Sequence, residues 1–561
     1  MRLNLKIEWI RELGNKVLAE EVTWGGADQW RSLEIERFKD ADLDQLLVLM
    51  QKREEAGIQG AVAVKRKILT YRKLLLNANG VRISKLETLS AALRLLLEPL
   101  PNKWLFTENK DGYLVPWYVY DIQNFPFNKC NGCAAHTLVS LAAFRRGRKI
   151  TNGIRYGQPD LGCTAGELLR KRGYFMETPE ILSEYMKENR RYQALCGLTG
   201  EQFLAVGEGF EQDNTWLSNV EAMERDHQPA RVVMDDKSNE VESHETGHPH
   251  ISAQFWSNKK EQDGNENDES AIQLPLQPYV QVFNLNRHVF RAIHVGNLTE
   301  YVYDATLIDK LILPHDDKEL ILMLVSGAST LLEDIVKGKT GGIIVVCTGP
   351  PGCGKTLSAE VFSEEVKRPL YSVQCSQLGT NEQALEKKLN EVLERAQRWK
   401  AILLIDEADV YVHERGNDIQ QNAIVGVFLR VLEYYRGILF MTSNRETVID
   451  DAIMSRATAW IRYDIPDADR AIAIWQVLSK QYKAELRATD IKALAEKFSS
   501  ISGRSIKNLL KLATLLSARK QEPVTVSSIE YVSRFLDLEN ATRDSRSRTA
   551  AQVGDRENHP Q

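Results

Sequence analysis

The residues that decide the fold are Gly349-Pro350-Pro351-Gly352-Cys353-Gly354-Lys355-Thr356, which match the pattern G-x-x-x-x-G-K-[ST]. The apolar run GGIIVVCT (341–348) precedes them, and LSAEVFSEEV, which begins at Leu357, follows with helical character. A strand, a glycine-rich turn and a helix in this order present backbone N–H groups to an anion. Lys355 adds a cation, and the Thr356 hydroxyl suits Mg²⁺. The stretch therefore predicts a phosphate-binding loop that extends to Leu357.

Two further strand-like runs end in polar residues. AILLIDE (401–407) ends in Asp406 and Glu407, and GILFMTSN (437–444) ends in Asn444. In a doubly wound sheet, functional groups gather at the carboxyl ends of the strands. We therefore expect Asp406 to hold Mg²⁺, Glu407 to polarise an attacking water, and Asn444 to help place that water. A helix-capping pair of acids and an ordinary turn-forming asparagine are the simpler alternatives, which the order and spacing disfavour.

The composition excludes several classes of protein. The chain has 561 residues, of which 43% are hydrophobic and 27% charged, as in soluble proteins of several domains. Seven scattered cysteines do not make a disulfide framework. No apolar run is long enough for a signal peptide or a membrane span, so we expect a soluble, cytoplasmic protein. The net charge of −5 favours a protein partner over a nucleic acid. The basic clusters Lys65–Lys67 and Arg145–Lys149 leave a nucleic-acid partner as an alternative.

The phosphate loop, IDEAD (405–409), TSNR (442–445) and IDDAIMSR (449–456) together resemble the AAA family of ATPases. The resemblance covers about residues 300–540 and extends to a group of this family that is abundant in fungal genomes. It implies a large α/β subdomain with a doubly wound parallel sheet and a small helical lid. It also implies a ring, usually a hexamer, that binds ATP and Mg²⁺ between neighbouring subunits.

The same resemblance suggests two further site residues. Arg456 matches the family's arginine finger, which reaches the γ-phosphate in the neighbouring subunit; a surface arginine is the alternative. Arg504 resembles a second sensor arginine, although Lys507 lies one helical turn away and is an equally placed cation.

The whole chain is predicted to be a multidomain α/β protein. Its segments are a mainly helical region (1–110), an α+β partner-binding module (111–300) with a polar disordered loop at about 235–270, the large ATPase subdomain (301–465), the helical lid (466–537) and a disordered tail (538–561).

The function predicted from these features is an ATP-hydrolysing, oligomeric remodelling ATPase whose N-terminal region selects a partner. The loop that carries an aromatic residue in polypeptide-threading relatives is here Ser376–Glu382, which has none. Remodelling of a folded partner, or switching of its state, fits equally well. A nucleotide-gated scaffold with slow hydrolysis and a nucleic-acid motor are the alternatives.

Two other patterns suggest metal ligands. His244-Glu245-Thr246-Gly247-His248 matches the zinc-protease pattern H-E-x-x-H, but the following Pro249 disfavours the helix that this site needs. Cys130, Cys133 and His136, with Cys163 as a conceivable fourth ligand, form only one recognisable pair. We predict a polar loop in the first case and isolated thiols in the second.

Overall fold

The computed structural model describes residues 2–13, 30–34, 38, 40–58, 60–75, 82–126, 134–146, 148–211, 222–236, 274–327, 342–379, 382–412, 419–444 and 449–536. The chain divides into two units, one of residues 1–198 and 203–299, the other of residues 199–202 and 300–561. The predicted polar loop from residue 237 onward and the predicted tail lie outside the described residues.

The first unit begins with a small helical layer on a two-stranded antiparallel sheet. Its elements are β1 (Arg2–Lys6), α1 (Ile7–Glu12), β2 (Trp30–Glu34), α2 (Asp40–Glu55) and α3 (Ala61–Leu75). Apolar residues three or four apart on α2, such as Leu43, Leu46 and Met50, are fully buried against this sheet and α3. The helices of this region were predicted, whereas the strand pair was missed.

A five-stranded antiparallel sheet follows, in the order β6-β5-β4-β3-β7. The elements are α4 (Leu86–Leu97), β3 (Trp104–Glu108), β4 (Leu114–Phe125), β5 (His136–Arg145), β6 (Arg148–Tyr156), α5 (Ala165–Lys171), β7 (Tyr174–Met176) and α6 (Pro179–Leu195). β3 pairs with β4, so the boundary predicted at residue 110 cuts a hairpin and is wrong. The helical region ends before Trp104, because the apolar run there alternates with the period of a strand.

The first unit ends in a second antiparallel sheet made of β8 (Thr199–Glu211), β9 (Ala222–Asp235), β10 (Tyr279–Asn284), β11 (Val289–His294) and β12 (Leu298–Glu300). β11 pairs with β10 and also with β8, so the four longest strands close on themselves. The apolar core packed on this sheet includes Val232, Val280 and Val282 and also Tyr192 of α6.

The second unit is built on a five-stranded parallel sheet, in the order β14-β15-β16-β13-β17. The strands are β13 (Ile343–Thr348), β14 (Leu370–Gln374), β15 (Ile402–Asp406), β16 (Ile438–Ser443) and β17 (Ala459–Arg462). Every residue of β13 and β16 is buried, which requires cover on both faces of the sheet. The predicted parallel sheet is confirmed.

Twelve helices lie in the described residues of the second unit, and the last four form the lid. Those before the lid are α7 (Leu307–Lys310), α8 (His315–Gly327), α9 (Lys355–Glu365), α10 (Cys375–Leu378), α11 (Glu382–Arg398), α12 (Asp409–Val412), α13 (Ile419–Leu432) and α14 (Asp451–Met454). The lid helices are α15 (Ala468–Gln481), α16 (Ala488–Lys497), α17 (Gly503–Lys520) and α18 (Val526–Ser533). The lid has its own core around Trp475 and Leu509. Among the described residues, no helix is long and apolar enough to cross a bilayer.

The segment that enters the second unit is fixed to the helix after the phosphate loop. Glu364 on α9 is only 4% exposed. Its carboxylate accepts hydrogen bonds from the Tyr301 hydroxyl at 2.5 Å and from the Asp304 N–H at 3.1 Å. A buried carboxylate is tolerated where such donors replace water. Residues 301–304 therefore have a defined position on α9.

His294 in the first unit makes the fold sensitive to acid. Its ring is fully buried and stacks on Tyr113 with a centroid distance of 4.3 Å. Burial, assisted by the nearby Arg66 and Arg191, lowers the pKa of His294 from 6.5 to about 3. Between these pH values the unfolded chain binds a proton that the folded chain does not. This contribution to stability is therefore complete above pH 6.5 and is lost as the pH falls.

We expect acidification from pH 7 to pH 5 to remove about 2 kcal/mol of local stability through this group. His294→Asn keeps an acceptor for the Gly296 N–H but does not titrate. Hydrogen exchange of the amides of β11, measured at both pH values, should show a smaller acid-induced loss of protection in this variant. Equal losses in the variant and the wild type would contradict the prediction.

Candidate functional site

The phosphate loop connects β13 to α9 through three glycines with positive φ. Gly349, Gly352 and Gly354 have φ values of 135°, 83° and 102°. A Cβ at Gly349 would lie 1.9 Å from the carbonyl oxygen of Tyr463, so no other residue fits there without displacing β17's end. The loop thus depends on glycine both for its backbone angles and for its close approach to the neighbouring chain.

Lys355 lies over this loop with its amine held by three acceptors. Its Nζ donates to the carbonyl oxygens of Gly349 and Pro350 at 2.6 and 2.8 Å and to Asn444 Oδ1 at 3.0 Å. Burial lowers the pKa of Lys355, against the opposing charges of groups that include Asp409 and Asp406. The amine is therefore positioned at the loop and connected to the end of β16.

The predicted magnesium ligands meet at one carboxylate oxygen. Thr356 Oγ1 donates to Asp406 Oδ1 at 3.0 Å, and Thr442 Oγ1 donates to the same oxygen. A hydroxyl and a carboxylate are the oxygen ligands that Mg²⁺ takes beside phosphate. The residues present therefore fit this ion, with Thr356 and Asp406 as the protein ligands that the sequence predicts.

Glu407 projects from a backbone that few non-glycine residues adopt. Its φ is 55°, in the left-handed region. The Glu407 N–H donates to Thr442 Oγ1 at 3.0 Å, and the Ala408 N–H donates to the Thr442 carbonyl oxygen at 2.8 Å. These bonds hold the strained residue and direct an exposed carboxylate into the same cavity as Lys355.

These groups line one cavity of 410 Å³. Its polar lining includes the phosphate loop, Asp406, Glu407 and Asn444. Its apolar lining includes Leu311, Leu313 and, from the lid, Ile474 and Leu478. A phosphorylated ligand that also has an apolar part matches this mixed lining. The loop residues Pro351, Cys353 and Leu357 also line the cavity.

The lid contributes cations to the lining of the cavity. The Arg504 N–H donates to the Gly352 carbonyl oxygen at 3.1 Å, which connects the start of α17 to the phosphate loop. Arg504 and Lys507 both line the cavity, so the choice between them stays a prediction.

Several lining residues were missed by the sequence interpretation. Arg462 is the last residue of β17, and its guanidinium carbon lies 4.2 Å from the Trp460 ring centroid. Thr442 lies near the end of β16, two residues before Asn444. Neither residue type marks a site by itself, although both lie at the carboxyl end of a strand, where functional groups gather.

Arg456 lies elsewhere on the unit. Its Nη1 donates to the Ala452 carbonyl oxygen at 3.1 Å, and Nη2 lies 3.6 Å from Glu433 Oε2. Within the described chain, the residues that line the cavity do not include Arg456. The side chain is about one-third exposed, at 34%. It is therefore not part of the site of its own subunit.

The segment after β14 is held by a tyrosine from the segment that follows Glu407. Tyr411 is buried, and its hydroxyl oxygen lies 3.0 Å from the Cys375 carbonyl oxygen and 2.9 Å from that of Gly379. Residues 380–381 lie outside the described ranges.

Most residues of the two predicted metal-ligand patterns lie outside the described part of the chain. Cys130, Cys133 and the stretch 244–248 lie outside the described residues, and His136 packs with its ring on Phe125. Among the residues that are described, no group of three or more His, Cys, Asp or Glu side chains is arranged to hold a metal ion. The polar loop at residues 244–248 and the isolated thiols at Cys130 and Cys133 remain predictions.

The part of the chain that matches a known protein family contains the phosphate loop and the acidic segment of this site. Residues 345–464 match the model of the family described as "ATPase family associated with various cellular activities (AAA)". An ATP-dependent zinc metalloprotease FtsH from Oenococcus oeni is 30% identical over 204 residues, which are 33% of this chain and 28% of that protein. The chain thus matches less than a third of that relative's length.

Two further comparisons extend over more of the matched protein. The "Mitochondrial sorting homolog" of Caenorhabditis elegans is 27% identical over 260 residues, which are 45% of this chain and 70% of that protein. A solved structure titled "Structure of E. coli MS115-1 HORMA:CdnC:Trip13 complex" is 18% identical, with a TM-score of 0.34 over 41% of this chain and 90% of that chain.

The half-buried Cys353 provides a chemical probe of the phosphate loop, because it lines the cavity. We expect N-ethylmaleimide at Cys353 to weaken ATP binding at least about tenfold, since the adduct occupies the place of phosphate. Saturating ATP and Mg²⁺ should slow the labelling. Mass spectrometry and a fluorescent-nucleotide titration measure both effects.

Cys163, Cys196 and Cys375 are also half-buried and need a control. In Cys353→Ala, the same treatment should leave the ATP affinity at its value before treatment. ATP hydrolysis that survives complete labelling of Cys353 in the wild type would refute the prediction.

Proposed function

Since residues 345–464 form an AAA ATPase domain, we propose that the chain hydrolyses ATP with Mg²⁺ and uses this cycle to remodel a protein or other macromolecular partner. The observation that carries the proposal is the meeting of Thr356 and Asp406 at 3.0 Å in the cavity that also contains Lys355 and Glu407. A passive nucleotide-binding site does not need a carboxylate directed at the phosphate end. ATP hydrolysis does need one.

Each residue then has a distinct task. Lys355 and the N–H groups of residues 352–356 bind the phosphates. Thr356 and Asp406 hold Mg²⁺, which neutralises charge on the phosphate oxygens when it is bound. Glu407 orients and polarises the attacking water, and Asn444 helps to place it. Arg504 is the lid cation that contacts the phosphates, with Lys507 as the alternative.

The position of Arg456 supports assembly into a ring. Because this side chain does not line the cavity of its own subunit, it acts on nucleotide only if a second copy lies against it. We propose a homo-oligomer, a hexamer by resemblance, in which Arg456 stabilises negative charge in the neighbour's site. The N-terminal unit selects the partner, and the place of action is the cytoplasm.

A nucleotide-gated scaffold with slow hydrolysis is the second candidate. Its support is the sequence of residues 376–382, which contains no aromatic residue for gripping an extended polypeptide.

The structure weakens the third candidate, a nucleic-acid motor, because its basic clusters are partly engaged within the first unit. The Arg145 guanidinium donates to Gln277 and lies 4.4 Å from the Phe210 ring centroid, while Arg66 lies 3.9 Å from that of Tyr113.

The role of Glu407 is tested by removing its negative charge. Glu407→Gln should bind ATP with an affinity within about threefold of the wild type, while turnover falls about a hundredfold or more because the water loses its base. A phosphate-release assay and a nucleotide titration measure the two quantities. Glu394→Gln, on the exposed face of α11, is the matched control and should turn over normally. Wild-type turnover in Glu407→Gln would refute the assignment.

Action of Arg456 across subunits is tested by mixing variants. Arg456→Ala and Lys355→Ala should each lose activity, the former by about a thousandfold. Mixed subunits should regain hydrolysis, because the Lys355→Ala chain supplies Arg456 to an intact site in its neighbour. Arg487→Ala, an 83%-exposed arginine on the lid, controls for the loss of a surface cation.

The dependence of activity on concentration distinguishes a shared site from a self-contained switch. The wild-type ATPase rate per subunit should rise steeply with protein concentration. A rate per subunit that is independent of concentration, together with no recovery on mixing, would favour the nucleotide-gated scaffold instead.

A further inference from the structure

The segment after the water-polarising glutamate contains a carboxylate that the proposed chemistry does not use. Asp409 begins α12, and its Oδ1 accepts hydrogen bonds from the Ser443 hydroxyl at 2.5 Å and from the Asn444 N–H at 3.1 Å. We infer that Asp409 is a positioning residue for ATP hydrolysis, which fixes the end of β16 so that Asn444 contacts the phosphate region. The inference rests on the proposed function, because it assigns a part in the same site.

The need for such a residue follows from where Asn444 lies. β16 ends at Ser443, and the ladder of β16 with β13 ends at the pair Thr348 and Ser443. Asn444 is therefore the first residue beyond the sheet, and its N–H has left the hydrogen-bond ladder. Asp409 provides the acceptor that the sheet no longer offers. Without it, the peptide of Asn444 would be free to rotate away from the site.

The effect of this bond reaches the phosphate-binding lysine. Asn444 Oδ1 accepts a hydrogen bond from Lys355 Nζ at 3.0 Å. A continuous series of hydrogen bonds thus runs from Asp409 through Asn444 to Lys355. Displacement of Asn444 by about 1 Å would both move its amide from the reacting water and remove one acceptor from the lysine.

The same strand end is joined to the acidic segment at three consecutive residues. Thr442 bonds to Asp406 and to the Glu407 N–H, and Ser443 and Asn444 both bond to Asp409. Asp409 therefore completes a frame in which the base at Glu407 and the amide at Asn444 keep a constant separation. Both hydrogen bonds to Asp409 are accepted by the same oxygen, Oδ1. The position therefore needs an acceptor, which the side-chain amide oxygen of an asparagine also provides.

This last point makes the inference testable with a conservative variant. Asp409→Ala removes the acceptor, and we expect kcat to fall about tenfold to a hundredfold with KM for ATP within about threefold. Asp409→Asn keeps the acceptor and should recover most of kcat, to within about threefold of the wild type. The double variant Asp409→Ala/Asn444→Ala should be no slower than Asn444→Ala alone, because Asp409 acts through Asn444.

Steady-state hydrolysis over a range of ATP concentrations measures these values, and thermal unfolding checks that each variant is folded. Ser443→Ala, which removes one of the two bonds without altering Asp409 or Asn444, should lower kcat by about threefold to tenfold. If Asp409→Ala does not fold, Ser443→Ala is the variant that tests the inference. An unaltered kcat in Ser443→Ala would then overturn it.

The outcomes separate this inference from the proposed function. If Asp409→Asn is as slow as Asp409→Ala, the charge and not the acceptor matters, and the inference is overturned while the ATPase assignment stands. Multiplicative losses in the double variant would overturn it in the same way. If Asn444→Ala and Glu407→Gln both retain wild-type turnover, the proposed catalytic site fails, and the inference fails with it.

Discussion

The candidate site of the second unit is centred on one oxygen atom, Oδ1 of Asp406, which accepts hydrogen bonds from Thr356 and Thr442. The three residues belong to different segments, 50 and 36 residues apart along the chain, and they meet because parallel strands end at the same edge of a sheet. The order of the strands places β13, which leads into the phosphate loop, next to β16. The phosphate loop, the acidic segment and the strand that ends directly before Asn444 are thereby held together without a ligand.

The cost of this arrangement is concentrated at a few backbone positions. Glu407 adopts a left-handed conformation that is unfavourable for a residue with a side chain, and Gly349 leaves no room for a Cβ. Both are held by their neighbours: Thr442 bonds to the N–H of Glu407, and the end of β17 packs on Gly349. Strain of this kind persists where surrounding structure determines the backbone, and here the surrounding structure is the buried sheet.

The sequence identified the parts of the site that have a pattern of their own. Glycine spacing, a lysine and the acids after an apolar run indicated the loop, Asp406 and Glu407, because each has a chemical role that restricts its residue type. Thr442 and Asp409 were missed, since a threonine in a strand and an aspartate after a glutamate are ordinary in sequence. Their roles arise from pairing between β15 and β16, which is a contact between distant segments. The boundary near residue 110 failed for a related reason, because the hairpin of β3 and β4 is visible only once the strands pair.

The lid belongs to the candidate site as well as to the fold. The Arg504 N–H bonds to the Gly352 carbonyl oxygen in the phosphate loop, while Ile474 and Leu478 on α15 line the same cavity. A ligand that fills this cavity therefore contacts two lid helices, which share one apolar core, as well as the edge of the parallel sheet. Residues 301–304 are bonded to Glu364 on α9, the helix that begins with the phosphate-binding residues Lys355 and Thr356. The segment at the start of the second unit and the phosphate-binding residues thus share one helix.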